Sequence, residues 1–228
     1  MKLRPYFLVV ATLAALGLLV APQLIISAPR EASMGFVYKI FFYHVPSATM
    51  TFLGAFVCAW GSVTYLFKGS EKGDQLAVSA AELTVLFGLL TLVTGPLWAR
   101  KAWGVWWQWD VRLTTTLLLW FIFIAYLFAR KYGGPGSRKL AAGLALFGAA
   151  DVPLIYFSVS IWRTIHPKAT VITGIAKSRN GMGTPLLVAF ITFTCLFLAL
   201  LELRLSLERA RARVDELHLE AEDAGLVS

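Results

Sequence analysis

Six stretches of the chain run for 17 to 23 residues with no lysine or arginine inside them: residues 6–26, 46–67, 76–98, 113–129, 140–162 and 185–203. Each is bounded by a charged or Gly/Pro-rich connection. A bilayer hydrocarbon core about 30 Å thick is spanned by about 20 apolar residues in a helix. Lipid offers no partner for an unpaired backbone group, so helices are the only element such stretches can form. The pattern predicts an all-α integral membrane protein, with six transmembrane helices in one bundle at residues 1–203. The first stretch follows Lys2 and Arg4 as a secretory signal would. Its apolar run is longer than a signal core of about 7–15 residues, and bulky Ile26 sits badly for cleavage after Ala28, so it is expected to be a retained helix.

Composition strengthens this reading. Of 228 residues, 58% are hydrophobic and only 15% charged, with a mean hydropathy of +0.69. Soluble domains carry about 25% charged residues. Two cysteines exclude a disulfide-stapled secreted fold, and the apolar content excludes disorder.

Charge then divides the chain by side. Six crossings place both termini together. The side of Lys2 and Arg4 holds 12 Lys/Arg and the other side 9. The positive-inside rule makes the first side cytoplasmic, by a thin margin. Acids reverse the impression: nine lie on the cytoplasmic side but only Glu31 and Asp110 on the outer side, while Glu82 and Asp151 fall inside spans. The outer loops (residues 27–45, 99–112 and 163–184) therefore carry +7 of the chain's +8. The inner connections are short turns rich in glycine and charge.

The middle outer loop is the strongest chemical signal. Five of eight tryptophans fall in residues 98–112: Trp98, Trp103, Trp106, Trp107 and Trp109. Trp103, Trp106, Trp107 and Asp110 recur at i, i+3, i+4 and i+7, the spacing of one helical face. This predicts an interfacial segment with a broad aromatic face. An ordinary interfacial belt supplies one or two tryptophans per helix end; four within seven residues suggest a platform for a flat apolar ligand. Both histidines outside the C-terminal tail, His44 and His166, lie on the same side. Neutral imidazole is the commonest metal ligand. Four-ligand zinc lacks donors here, whereas a haem iron needs only two axial ligands. Haem also has two carboxylates, which the cations Arg100, Lys101, Arg112, Arg163 and Lys168 suit, although many such charges merely anchor helix ends.

Elsewhere, Asp151 lies mid-span before Pro153, and Glu82 lies in the third span. An intramembrane acid is a functional hypothesis by default, set against a packing role through interhelical hydrogen bonds. Cys58 and Cys195 form no CxxC motif and read as small apolar residues. Met34 and Met182 lie outside the spans, but nothing singles them out as iron ligands. Beyond the sixth span, Leu203, Leu207, Ala210, Val214 and Leu217 form a narrow seam. Residues 204–228 are thus expected as a cytoplasmic amphipathic helical tail that extends the sixth helix or docks a partner. No Walker motif occurs, so ATP hydrolysis is expected in another chain, and nothing indicates nucleic acid.

The run WGVWWQWDVRLT resembles the tryptophan-rich "WWD" signature of haem-handling proteins of cytochrome c maturation. With His44 before it and His166 after it, and with the stretches AELTVLFGLLTLVTGPLW and ADVPLIYFSVSIWRTIHP, residues 34–200 resemble the haem exporter protein C family, CcmC, of cytochrome c biogenesis system I. The resemblance implies a non-enzymatic haem-handling subunit in the bacterial cytoplasmic membrane, with haem b as bound cargo on the outer face. It implies that the Trp loop binds haem and that His44 and His166 hold the iron. It further implies the partners: an ABC-type ATPase and its membrane partner (CcmA, CcmB), a small membrane subunit (CcmD) and a periplasmic haem chaperone (CcmE) that receives the haem. The longer WWD relatives carry histidines within spans, which this sequence is expected to lack. The alternatives are a permease for another amphipathic anion and a membrane b-type cytochrome.

Overall fold

The structure is a computed structural model that describes residues 4–162, 164–166 and 181–225. Its elements are α1 (Tyr6–Ser27), a 3-10 turn (Phe36–Ile40), α2 (Phe41–Lys68), α3 (Glu71–Trp103), α4 (Val111–Tyr132), α5 (Ser137–Ile161) and α6 (Gly183–Asp223). No strand occurs among the described residues. All six helices are long and apolar enough to cross a membrane, and the chain is a multi-pass membrane protein.

The helices begin and end where local chemistry dictates. α2 stops at Gly69, whose φ of 61° is left-handed, and Ser70 caps α3 by accepting from the Gly73 N–H at 3.1 Å. The turn is therefore two residues, and α3 starts at Glu71 rather than near residue 76. At the other end, the connection after α1 is shorter than predicted. Residues 36–40 wind into 3-10 geometry and lead directly into α2, so the first loop closes at residue 35 rather than 45. α6 continues unbroken for 41 residues, and residues 211–220 are all exposed as it leaves the bundle. The tail seam thus extends the sixth helix.

α2 and α3 form the centre. α4 and α5 pack on one side, and α6 carries α1 on the other. In lipid, helices gain little from burying apolar surface against each other; close packing and polar links hold them. Gly61 and Gly73 let α2 and α3 touch: a Cβ on Gly61 would stand 2.5 Å from the Gly73 carbonyl oxygen. The aromatic core, with Leu119, Phe123 and Tyr126 from α4, fills the space between α2, α4 and α5.

The polar links gather at one end of the bundle, here the Arg4 end. Asp74 on α3 accepts two hydrogen bonds from Arg130 on α4, at 2.8 and 2.7 Å, and Arg138 on α5 approaches it at 3.7 Å. Fully buried Glu202 on α6 accepts from the Tyr6 hydroxyl at 2.9 Å and from Arg209 at 3.3 Å. Glu82 pairs with Arg204. Among the described residues, every ion pair lies at this end or on the projecting part of α6.

Candidate functional site

The opposite end, where α2 and α4 begin and α3 and α5 finish, collects the sequence-predicted site residues. His44 lies in the first turn of α2, so the expectation of no histidine inside a candidate span is corrected: the 3-10 turn and α2 continue one another, and the span Phe36–Lys68 contains it. Its imidazole rests against α3. Nδ1 lies 2.9 Å from the Thr94 hydroxyl, and an added Cβ on Gly95 would come within 3.2 Å of Cε1. His166 follows α5 and packs its ring 6.1 Å from that of Trp103. His166 and Arg112 are each close enough to His44 to act on it electrostatically. The bundle thus unites residues from α2, α3, α4 and the segment after α5.

The tryptophan segment is not one helical face. α3 ends at Trp103 because Gly104 takes φ 77°, and α4 starts only when Asp110 caps it by accepting from the Leu113 N–H at 2.8 Å. Residues 104–110 between these signals are non-helical. The stop at glycine and the start at aspartate outweigh the 3–4 spacing of the tryptophans. The rings divide accordingly. Trp98, Trp103 and Trp107 are half-buried, with Trp98 edge-on to Trp103 at 5.2 Å and Trp107 edge-on to Trp109 at 5.7 Å. Trp106 and Trp109 are exposed, by 56% and 75%. Trp107, Trp109, Leu92 and Leu117 line an open apolar hollow of about 270 Å³.

Charge at this end differs from the sequence expectation. Lys39, counted among the outer cations, is buried. Its Nζ donates to the carbonyl oxygens of Ala28 and Pro29, where α1's C-terminal dipole favours a cation. Arg100 donates to the Gly104 carbonyl and lies 5.9 Å over the Trp106 ring. Lys101 is exposed. Arg163 and Lys168 lie outside the described residues. Arg112 stands apart, because its Nη1 is buried without a hydrogen-bond partner. So are Trp98 Nε1, Trp107 Nε1 and Asp110 Oδ2. A buried unmatched polar atom costs about 1–3 kcal/mol. Three of these four are donors, so the site favours a ligand rich in acceptor oxygens.

The two acids within spans differ in their partners. Glu82 is not a lone charge, since Arg204 reaches it from α6. Asp151 is buried midway along α5 with Oδ2 unmatched. Thr94 and Gly95 carry no signal that sequence reading could connect to His44, fifty residues away.

Among the described residues no three His, Cys, Asp or Glu converge to hold a metal ion. Two imidazoles, one packed against Trp103, with an arginine nearby instead suit a metal that brings its own planar ligand set. A family model described as Heme exporter protein C matches residues 1–220.

The chain belongs to the heme exporter protein C family.

Relatives agree across bacteria and plants. The heme exporter protein C of Bradyrhizobium diazoefficiens is 36% identical over 195 residues, covering 84% of this chain and 74% of its own length. That of Haemophilus influenzae is 33% identical over 215 residues, covering 91% and 85%. A putative cytochrome c biosynthesis ccmC-like mitochondrial protein of Arabidopsis thaliana is 31% identical over 216 residues, covering 89% and 82%.

Proposed function

We propose that this protein handles haem for c-type cytochrome biogenesis, holding haem b at the outer face of the bacterial cytoplasmic membrane. The observation that carries the reading is the meeting of His44, His166, Trp103 and Arg112 at one end of the bundle, in a member of the heme exporter protein C family. His44 and His166 supply the axial nitrogens. The tryptophan segment provides an apolar and aromatic surface for the ring. Arg112 meets a propionate, and the unmatched indole N–H groups of Trp98 and Trp107 are further donors on that side. Arg100 and Lys101 add basic charge at that end, and Arg163, outside the described residues, is a further candidate by sequence. The buried Arg112 Nη1 has no hydrogen-bond partner, which supports a carboxylate-bearing cargo.

In this reading both termini are cytoplasmic, residues 1–203 form the membrane domain, and residues 204–228 project as a cytoplasmic tail. The protein is not itself an enzyme. It presents haem to a periplasmic haem chaperone (CcmE) within an ABC-type complex whose other members (CcmA, CcmB, CcmD) supply ATP hydrolysis and membrane partners. Holding both reactants at one surface is its contribution, and proximity of this kind is worth several kcal/mol. Asp151 serves interhelical packing.

Hemin titration of the purified chain in nanodiscs tests the proposal. Wild type is expected to give a red-shifted Soret band of six-coordinate iron, and His44→Ala and His166→Ala are each expected to alter it. Spectra of both variants identical to wild type would overturn the assignment of ligands, and a wild type that binds no hemin would overturn the function.

A further inference from the structure

The His44 ring is held by a relay that determines which of its nitrogens carries the proton. A hydroxyl has one hydrogen to donate and two lone pairs. The Thr94 hydroxyl sits 2.6 Å from the Leu90 carbonyl oxygen, one helical turn back, and 3.4 Å from that of Thr91. A carbonyl only accepts, so the short contact commits the Thr94 hydrogen to Leu90. What Thr94 turns toward His44 Nδ1, at 2.9 Å, is a lone pair. Nδ1 must then be the protonated nitrogen, and Nε2 is left with its lone pair free of a proton.

We infer that Thr94 is a positioning residue that locks His44 in the Nδ1–H tautomer and so presents Nε2 as the iron-ligating atom. This rests on the haem-ligating role proposed above for His44. Histidine ligands commonly have their orientation and tautomer fixed by a hydrogen bond from the second nitrogen. Here the acceptor is a threonine whose own hydrogen is spent within its helix, and the backbone of Thr91 on the same helix also hydrogen-bonds the ring, so the relay ends in the α3 backbone. Gly95 lies beside the same Nδ1–Cε1 edge of the ring: a Cβ there would be 3.2 Å from Cε1 and 3.8 Å from Nδ1. Together the two neighbours fix both proton position and ring plane, using adjacent residues of one rigid helix. Free imidazole side chains favour the opposite, Nε2–H tautomer, so loss of Thr94 shifts the balance toward a proton at the ligating position, with the Thr91 backbone as the remaining hydrogen-bond partner.

The test uses the full chain in nanodiscs, labelled with ¹⁵N-histidine. His44→Ala assigns the His44 resonances. In the haem-free wild type, the His44 nitrogens are expected to report protonated Nδ1 and unprotonated Nε2. Thr94→Val and Thr94→Ala should move the population toward Nε2–H, and Thr94→Ser should restore it. Hemin affinity is then expected to fall by about 10–100-fold in the valine and alanine variants, the usual effect of losing such a partner, and to recover with serine. A wild-type His44 protonated on Nε2, or a tautomer unchanged in both hydroxyl-deleted variants, overturns the inference. If the tautomer responds and wild type binds hemin, but the deleted variants bind it equally well, the ligation role of Thr94 falls while the proposed function stands. If wild type binds no hemin, the function fails and the inference with it.

Discussion

Gly95→Ala should separate stability from function at this site. In a helix, replacing glycine by alanine removes backbone entropy from the unfolded chain and gains about 0.5–1 kcal/mol. The added methyl, however, would lie 3.2 Å from His44 Cε1, where ordinary contacts begin near 3.4 Å. The ring must retreat by a few tenths of an ångström. It cannot do so freely, because Nδ1 is tied to Thr94 at 2.9 Å on the same helix. Either that bond lengthens or the imidazole tilts, and both displace Nε2. Functional constellations tolerate about 0.5 Å of misplacement. A loss of about tenfold in hemin affinity, about 1.4 kcal/mol, is therefore expected. Thermal unfolding in detergent should show a variant at least as stable as wild type, and a hemin titration should show weaker binding with an altered Soret band. A variant that binds hemin as wild type does would refute the packing argument. One that unfolds early would refute the claim that the contact concerns the ring alone.

Three further outcomes follow from the polar contacts. Asp74→Ala should destabilise by about 3–5 kcal/mol, since it strands Arg130 and weakens Arg138 together; Arg130→Ala should cost less, because Arg138 remains beside Asp74, and equal melting temperatures for the two variants would contradict this. Asp110→Ala removes the N-cap of α4 and should cost about 0.5–2 kcal/mol, with faster amide exchange at Leu113 than in wild type. The Glu31 carboxylate is held below its usual range, first by the Ser33 hydroxyl and then by the Met34 N–H. A lowered value means the turn is favoured above the ordinary carboxylate pKa and loosens as pH falls through the depressed one, so amide exchange at Met34 should accelerate in acid relative to the pH-adjusted intrinsic rate, and Glu31→Gln should flatten that response.

Much of this architecture was legible in local sequence. Six apolar runs became six helices because length and hydropathy decide a membrane span without reference to neighbours. The signals at Gly69, Ser70, Gly104 and Asp110 are also present, yet the periodic tryptophans predict a continuous helical face. Periodicity says which residues would share a face if a helix formed; the caps say whether it does. Charge was harder. Lys39 reads as an outer cation but is spent on the end of α1, and Glu82 reads as a lone intramembrane acid but meets Arg204.

Sequence alone determined that the chain carries six helices long and apolar enough to cross a membrane, and that tryptophan and two of its histidines fall near the ends of those runs. Those properties are carried by residue type and spacing along the chain. Only the tertiary structure decided that His44 meets Thr94 and Gly95, that Trp103 meets His166, and that Arg112 keeps an unmatched donor near His44. Each of those meetings joins separate helices, and the register between helices is set by how glycines, methyls and ion pairs interlock across the bundle rather than by any local pattern.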